Sequence, residues 1–439
     1  MKKKILYLSL IYLSIFTYNL FLSINIHFFN ISTNRDKNSM LKNSGYWNLT
    51  GSPIFIDGDA SGIGAHNWSW VESQFWFGEG SGSKGNPYSI ENITINGQGL
   101  GSCITIKNSN VFFEIRNCTL FNSGSGNEYA GVEMENVENA HIMNNTFLNN
   151  QNGIYLNNSN ANAIIDNIVK ENNIGIHLYE STNNSILENT AQNNIEGIRL
   201  SSGGYYNKIL RNKILDNTQY GIYIDSIYVN CNNHTISNNQ INRNGDIGIY
   251  ARDSDFNFIS NNNVSYNYRQ GFRISGEYNN VFNNTVCFTD IGTKSVGIFV
   301  LGNFNEIWEN VIRDNYNIGI RISAFNNTIH HNDIFNNWHG ISVVTGGSNL
   351  IQYNYIFNNK VGISLGITDY NEVTYNTLRD NDVCIRDVPE GNSTSTNIIE
   401  NNRCLTGFQD ISGYNLFIFL VVILNFFIVI VLKRKFRTE

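Results

Sequence analysis

The 439-residue chain is short of the side chains that commonly carry chemistry. Its six cysteines, Cys103, Cys118, Cys231, Cys287, Cys384 and Cys404, form no CxxC and no Cys/His spacing, which excludes the usual zinc and redox motifs. Methionine numbers four, with no Met-rich cluster for a soft ion. No two aspartates are adjacent. Positive charge is scarce in the body of the chain. Setting aside Lys2, Lys3, Lys4, Lys433, Arg434, Lys435, Arg437 and Glu439 in the tails leaves 22 basic against 35 acidic residues between Ile5 and Leu432. That balance argues against nucleic acid or an anionic membrane surface as a partner.

What is abundant is asparagine, and it recurs. The stretch Ile329 to Leu365 repeats itself at a spacing of 22: Ile329 returns as Ile351, Asn332 as Asn354, Ile334 as Ile356, Asn337 as Asn359 and Gly340 as Gly362. A period of this size means stacked repeats, which need no domain break as they grow. One asparagine column runs Asn145, Asn167, Asn189, Asn212, Asn239, Asn262, Asn284, Asn310, Asn332, Asn354, Asn376 and Asn401, with Cys118 in the same place earlier. Three residues before each stands a β-branched residue, from Ile142 to Ile398, as expected of strands stacked over a core. Further asparagine columns pass through Asn150 and Asn162. Asparagine tolerates left-handed turns, and its amide both donates and accepts, so stacked amides are expected to bond coil to coil at each corner.

A last column is glycine before Ile-x-aliphatic, from Gly131 to Gly362, expected to supply a positive φ at a corner. Three short strands and three turns fit one 22-residue coil. About 14 coils at roughly 4.8 Å give a rod on the order of 65 Å long. The leucine-rich repeat shares the period, but its L-x-x-L-x-L pattern is absent.

Repeats such as ILRNKILDNTQYGIYI and IWENVIRDNYNIGIRI resemble those of the right-handed, pectin-lyase-like parallel β-helix, closest to the NosD and the carbohydrate-binding and sugar-hydrolysis branch found on archaeal-type surface proteins. The resemblance covers about Ile93 to Cys404 and implies an all-β, right-handed single-stranded β-helix. It brings copper to mind. However, the adjacent His330 and His331 are expected on opposite faces of a strand, and with His339 they read as surface histidines rather than metal ligands.

The expected organisation is a signal peptide or membrane anchor over 1–29, a linker over 30–45, a Trp/Gly-rich N-terminal cap over 46–92 and the β-helix over 93–408. A transmembrane helix is expected over 414–432, with a basic cytoplasmic tail over 433–439. This places the rod outside a single-pass or two-pass cell-membrane protein. Trp47, Trp68, Trp70 and Trp76 read as a cover for the open end of the array, or alternatively as an aromatic sugar-binding patch. With an exported chain, Cys103 and Cys118 or Cys384 and Cys404 could pair; buried free thiols are the alternative. Sequons at Asn48, Asn92, Asn233, Asn326 and Asn392 are compatible with N-glycosylation.

One outward position per coil, between the two inward residues after the glycine, reads Tyr155, His177, Arg199, Tyr223, Tyr250, Arg273, Phe299, Arg321. Aromatic faces and arginine forks suit a polymeric sugar laid along the rod, especially one with carboxylate or sulfate groups. Cross-strand pairing would produce the same residues for purely structural reasons. Insertions at Phe121 to Ala130, Asp225 to His234, Thr289 to Val296 and Asp387 to Thr396 are expected to form loops flanking this sheet. The leading expectation is a non-catalytic, membrane-anchored surface module that binds glycan or neighbouring surface proteins and needs no cofactor. A calcium-assisted polysaccharide lyase or epimerase, using Asp225, Asp253 and Arg273, is the second expectation, with Asp255 and Arg199 nearby. A structural spacer is the third.

Overall fold

A short-range rule builds the whole architecture: equivalent residues one coil apart are hydrogen-bonded neighbours. In the computed structural model, which describes residues 47–226, 228–289, 295–388 and 396–405, every paired strand runs parallel to the strand three positions later in the chain. The result is three parallel sheets of 15, 14 and 14 strands wound into one solenoid. The first coil supplies Trp47–Asn48 to the first sheet, Ile54–Asp57 to the second and Tyr88–Glu91 to the third. The solenoid therefore starts at Trp47, not near Ile93: the segment expected to be a separate cap is itself the first coil with a long excursion. That excursion carries a short helix, Trp68–Glu72. Trp68, Val71 and Trp76 are buried in the core cluster, and Trp68 stacks on Tyr88 at 5.0 Å. Trp68 and Trp76 thus serve the core end and are not free for a sugar.

Inward residues form one continuous file of Ile, Val and Leu, nearly all fully buried. At the corners the amide files are continuous too. Asn145 N–H donates to Asn167 Oδ1, Asn167 N–H to Asn189 Oδ1 and Asn189 N–H to Asn212 Oδ1, each at 2.9 Å. Two sequence expectations need correction here. The left-handed residue at each corner is the one preceding the ladder asparagine, for example Asn144, Asp166, Glu188 and Arg211. Accordingly Asn401 is the corner residue, with φ 55°, and Asn402 continues the ladder by accepting from Asn376 N–H at 3.0 Å. The last insertion shifts the frame by one, so Ile399 rather than Ile398 pairs with Val373. The second correction concerns glycine. No glycine from Gly131 to Gly362 in the repeating column has a positive φ. Glycine is required there by crowding: a Cβ on Gly340 would lie 2.5 Å from the Gly362 carbonyl oxygen.

In the ladder that passes through Asn162 and Asn207, one rung is a histidine. Asn207 N–H donates to His234 Nδ1 at 3.2 Å, which leaves the proton on Nε2, 3.3 Å from Cys231 Sγ. Burial pushes the His234 pKa down to about 3. Between about pH 6.5 and 3 the unfolded chain binds a proton that the folded ring refuses, so this contribution to stability is complete above pH 6.5 and is lost as pH falls. His234→Asn gives this position the amide that Asn207 and Asn257 carry on either side of it. It is expected to remove roughly 2 kcal/mol of acid destabilisation at pH 5 relative to pH 7, read by urea unfolding at both pH values.

Cys384 and Cys404 form a disulfide in the last coil, while Cys103, Cys118, Cys231 and Cys287 are buried free thiols. The expected N-terminal segment, linker, transmembrane helix and tail, and the sequon at Asn392, lie outside the described residues. No helix among the described residues is long and apolar enough to cross a membrane. Of the other sequons, Asn48 and Asn326 are exposed and Asn92 and Asn233 half-buried.

Candidate functional site

The outward column lies on the second sheet, one residue per strand. Direct register links Tyr155 to His177, His177 to Arg199, Arg199 to Tyr223 and Tyr223 to Tyr250. It continues through Arg273 and Phe299 to Arg321. Many of these side chains use one another. Tyr155 and His177 rings are 5.1 Å apart, Tyr223 stacks on Tyr250 at 5.3 Å, and the Arg199 guanidinium sits 5.3 Å from the Tyr223 ring. The column is therefore a stacked ladder in its own right, as cross-strand pairing predicts.

It is also the floor of a cleft. The insertions Phe121 to Ala130 and Asp225 to His234 approach the sheet from its two edges and enclose about 570 Å³ over the second sheet. Asn127, Glu128 and Tyr228 come from the loops or their ends; Tyr155, His177, Tyr179, Arg199, Ser201 and Asp225 come from the strands. Arg199 reaches Asp225 at 3.3 Å and Glu196 at 3.7 Å. His177 Nε2 is 2.9 Å from Ser201 Oγ. Burial, aided by the neighbouring Arg199 charge, pushes the His177 pKa down to about 3, so the ring is neutral. Burial also raises Tyr155, and it raises the Glu196 carboxyl, against the pull of Arg199.

Buried polar atoms normally have partners. Ten buried side-chain polar atoms among the described residues do not, and eight of them lie on this sheet: Asn152 Oδ1, His177 Nδ1, Glu196 Oε2, Arg199 Nε, Gln270 Oε1, Arg273 Nε, Arg321 Nε and His339 Nδ1. Four of these residues, Asn152, Glu196, Gln270 and His339, precede the repeating glycine, a column that periodicity alone did not single out. The signal was there: this position varies between polar residues and Ile or Val such as Ile174, Val296 and Ile318, whereas the core positions stay apolar and the ladder positions are nearly all asparagine. Glu128 and Tyr228 had no such signal, because insertions fall outside the repeat.

The set Asp225, Asp253 and Arg273 is not assembled. Asp225 belongs to the cleft through Arg199. Asp253 sits at a left-handed corner after the strand Ile247–Arg252, and Arg273 stacks 5.2 Å from the Tyr250 ring. Asp255 accepts from Glu277 N–H at 2.7 Å and is used in that turn. Among the described residues no three His, Cys, Asp or Glu side chains converge as a metal group. The histidine pair also departs from expectation. The strand Thr328–His330 ends at His330, and His331 occupies the left-handed corner, so the two rings turn together with Nδ1 atoms 2.8 Å apart. His330 Nε2 is 3.0 Å from Glu306 Oε1. His339 is on the second sheet and contributes no third donor.

Two family profiles match the sequence. One, described as periplasmic copper-binding protein (NosD), covers residues 67–230; the other, a right handed beta helix region, covers 225–293 and 288–416. No curated protein matches the chain. Among solved structures, the periplasmic alginate epimerase AlgG is 13% identical with a TM-score of 0.46, over 74% of this chain and 87% of that one. The A-module of mannuronan C-5 epimerase AlgE6 from Azotobacter vinelandii is 14% identical with a TM-score of 0.42, over 74% and 90%. PfbA, a surface adhesin of Streptococcus pneumoniae, is 14% identical with a TM-score of 0.41, over 68% and 90%. Likenesses of this size carry nothing about ligand or chemistry. Within 67–230 the donors that copper would need do not converge: Cys103 and Cys118 are separately buried with thiols pushed up to about 12, and His141 and His177 stand on different sheets.

Proposed function

We propose that this parallel β-helix, which matches the NosD profile over residues 67–230 and the right handed beta helix profile over 225–293 and 288–416, is a carbohydrate-binding surface module whose ligand lies along the second sheet. The observation that carries this reading is the concentration of buried donors and acceptors without a hydrogen-bond partner on one sheet, eight of the ten described, two of them, on His177 and Arg199, in the lining of the loop-walled cleft. A sugar offers hydroxyls that both donate and accept, and apolar ring faces that suit Tyr155 and Tyr228. The apolar run 414–432 followed by four basic residues supports a membrane tether with the rod outside the cell.

A glycan array probed with the full chain tests the reading. Tyr228 is exposed at a loop tip, so Tyr228→Ala should cost no stability. Combined with Tyr155→Ala it is expected to weaken the bound glycan at least about tenfold. Full binding by the double variant would place the ligand elsewhere, and an array without any bound glycan would favour the spacer.

One observation favours a second reading, a lyase or epimerase acting on a uronate polymer: a neutral His177 with an unpartnered Nδ1 stands between Tyr155 and Arg199 in the cleft. It requires new 4,5-unsaturated product absorbance or epimerised residues on incubation with such polymers, and neither should survive His177→Ala.

A further inference from the structure

The ligand-binding face has two chemically different halves. Around the cleft its arginine is neutralised, Arg199 lying against Asp225 and Glu196. Most other arginines of this acidic chain are also matched to a carboxylate, among them Arg116 with Glu91, Arg211 with Glu188, Arg243 with Asp216 and Arg269 with Asp246. Arg273 and Arg321 differ. Neither makes an ion pair among the described residues, and the Nε of each is buried without a partner.

What holds them instead is aromatic. The Arg273 guanidinium lies 5.2 Å from the Tyr250 ring centroid and 5.7 Å from that of Phe299, and Arg321 lies 4.9 Å from Phe299. Direct register places Arg273, Phe299 and Arg321 on successive strands, so the two guanidiniums are two coils apart, about 10 Å at sheet spacing. The following outward residues are Ser342 and Ser364, and the pre-glycine positions over these coils are Gln270, Val296, Ile318, His339 and Val361. No acid stands in either file from Gln270 to Ser364. Ring stacking removes water from the flat faces of a guanidinium but leaves its N–H edge able to bond, and a carboxylate or sulfate is the partner that such a fork fits best.

We propose that Arg273 and Arg321, spaced by Phe299, are a two-point clamp for acidic groups recurring about every 10 Å along a polysaccharide, either carboxylates or sulfate esters. The proposal rests on the reading of this face as a glycan-binding surface, and it assigns the anionic recognition to the coils beyond the cleft rather than to Arg199.

The test is binding of the full chain to polygalacturonate, dextran sulfate and unmodified dextran at low and moderate salt. Binding to one or both acidic polymers but not to dextran is expected, weakening with salt. The acidic polymer that binds identifies carboxylate or sulfate. Arg273→Gln with Arg321→Gln should weaken it at least about tenfold, whereas Arg211→Gln, which removes a corner arginine paired with Glu188, should not. Arg273→Lys with Arg321→Lys keeps the charge and the stem, and guards against misfolding of the glutamine pair. It should bind more weakly than the native chain because an ammonium lacks the planar fork. Dextran bound as tightly as the acidic polymers, or acidic binding unmoved by both arginine pairs, overturns the clamp while leaving the glycan-binding reading intact. No binding to either acidic polymer overturns the clamp, and the glycan array then decides the wider reading.

Discussion

Asn189→Ala should destabilise the solenoid by roughly 3 to 5 kcal/mol, among the largest effects of any single substitution outside the apolar core. The side chain is fully buried. Its Oδ1 accepts both the backbone N–H and the side-chain Nδ2–H of Asn167, each at 2.9 Å. Its Nδ2 donates to the Ile164 carbonyl at 2.8 Å, the Leu187 carbonyl at 3.1 Å and Asn212 Oδ1 at 3.1 Å. Alanine leaves the Asn167 N–H buried without its acceptor and breaks the file in its middle. Aspartate is close to isosteric but cannot donate when ionised, so Asn189→Asp should be worse at neutral pH than at pH 4. Urea unfolding gives the total cost. Hydrogen exchange should show the loss of protection centred on the coils that carry Asn167 and Asn212, since each coil touches only its neighbours. Unchanged unfolding midpoints would mean that the amide files add little beyond the aliphatic core.

Gly175→Ala is expected to cost about 3 kcal/mol or more, for a different reason. A Cβ there would lie 2.4 Å from the Gly197 carbonyl oxygen and 3.1 Å from Asn194 Nδ2. The first of these is backbone inside a sheet and cannot yield without opening the strand pairing, and the second belongs to an amide ladder. Gly85→Ala is the control: nothing stands within 4 Å of its Cβ position and its φ is not in the left-handed region, so it should be nearly neutral. If Gly175→Ala were equally neutral in thermal unfolding, the close approach of successive coils at this column would be wrong. The glycine is needed for contact distance, not for backbone dihedral, and the asparagines and charged residues at the corners carry the positive φ instead.

The sequence determined the repeat, the three-sheet parallel solenoid, the amide files and the face on which Tyr155 to Arg321 stand, because in a stack of coils periodicity is adjacency: residues 22 apart become hydrogen-bonded neighbours without any further information. Wherever the period breaks, that translation fails. The frame slips at Asn401, and the first coil hides behind a long excursion after Ile54–Asp57. The insertions were legible beside this sheet, but only the tertiary structure brought Glu128 and Tyr228 into the lining of one cleft. It separated the arginines that carboxylates neutralise from Arg273 and Arg321, which lie against aromatic rings and make no ion pair among the described residues. Loop closure depends on distances between residues that share no register, and no spacing along the chain encodes it; the corner ion pairs of Glu188 with Arg211 and Asp216 with Arg243, by contrast, follow the coil spacing.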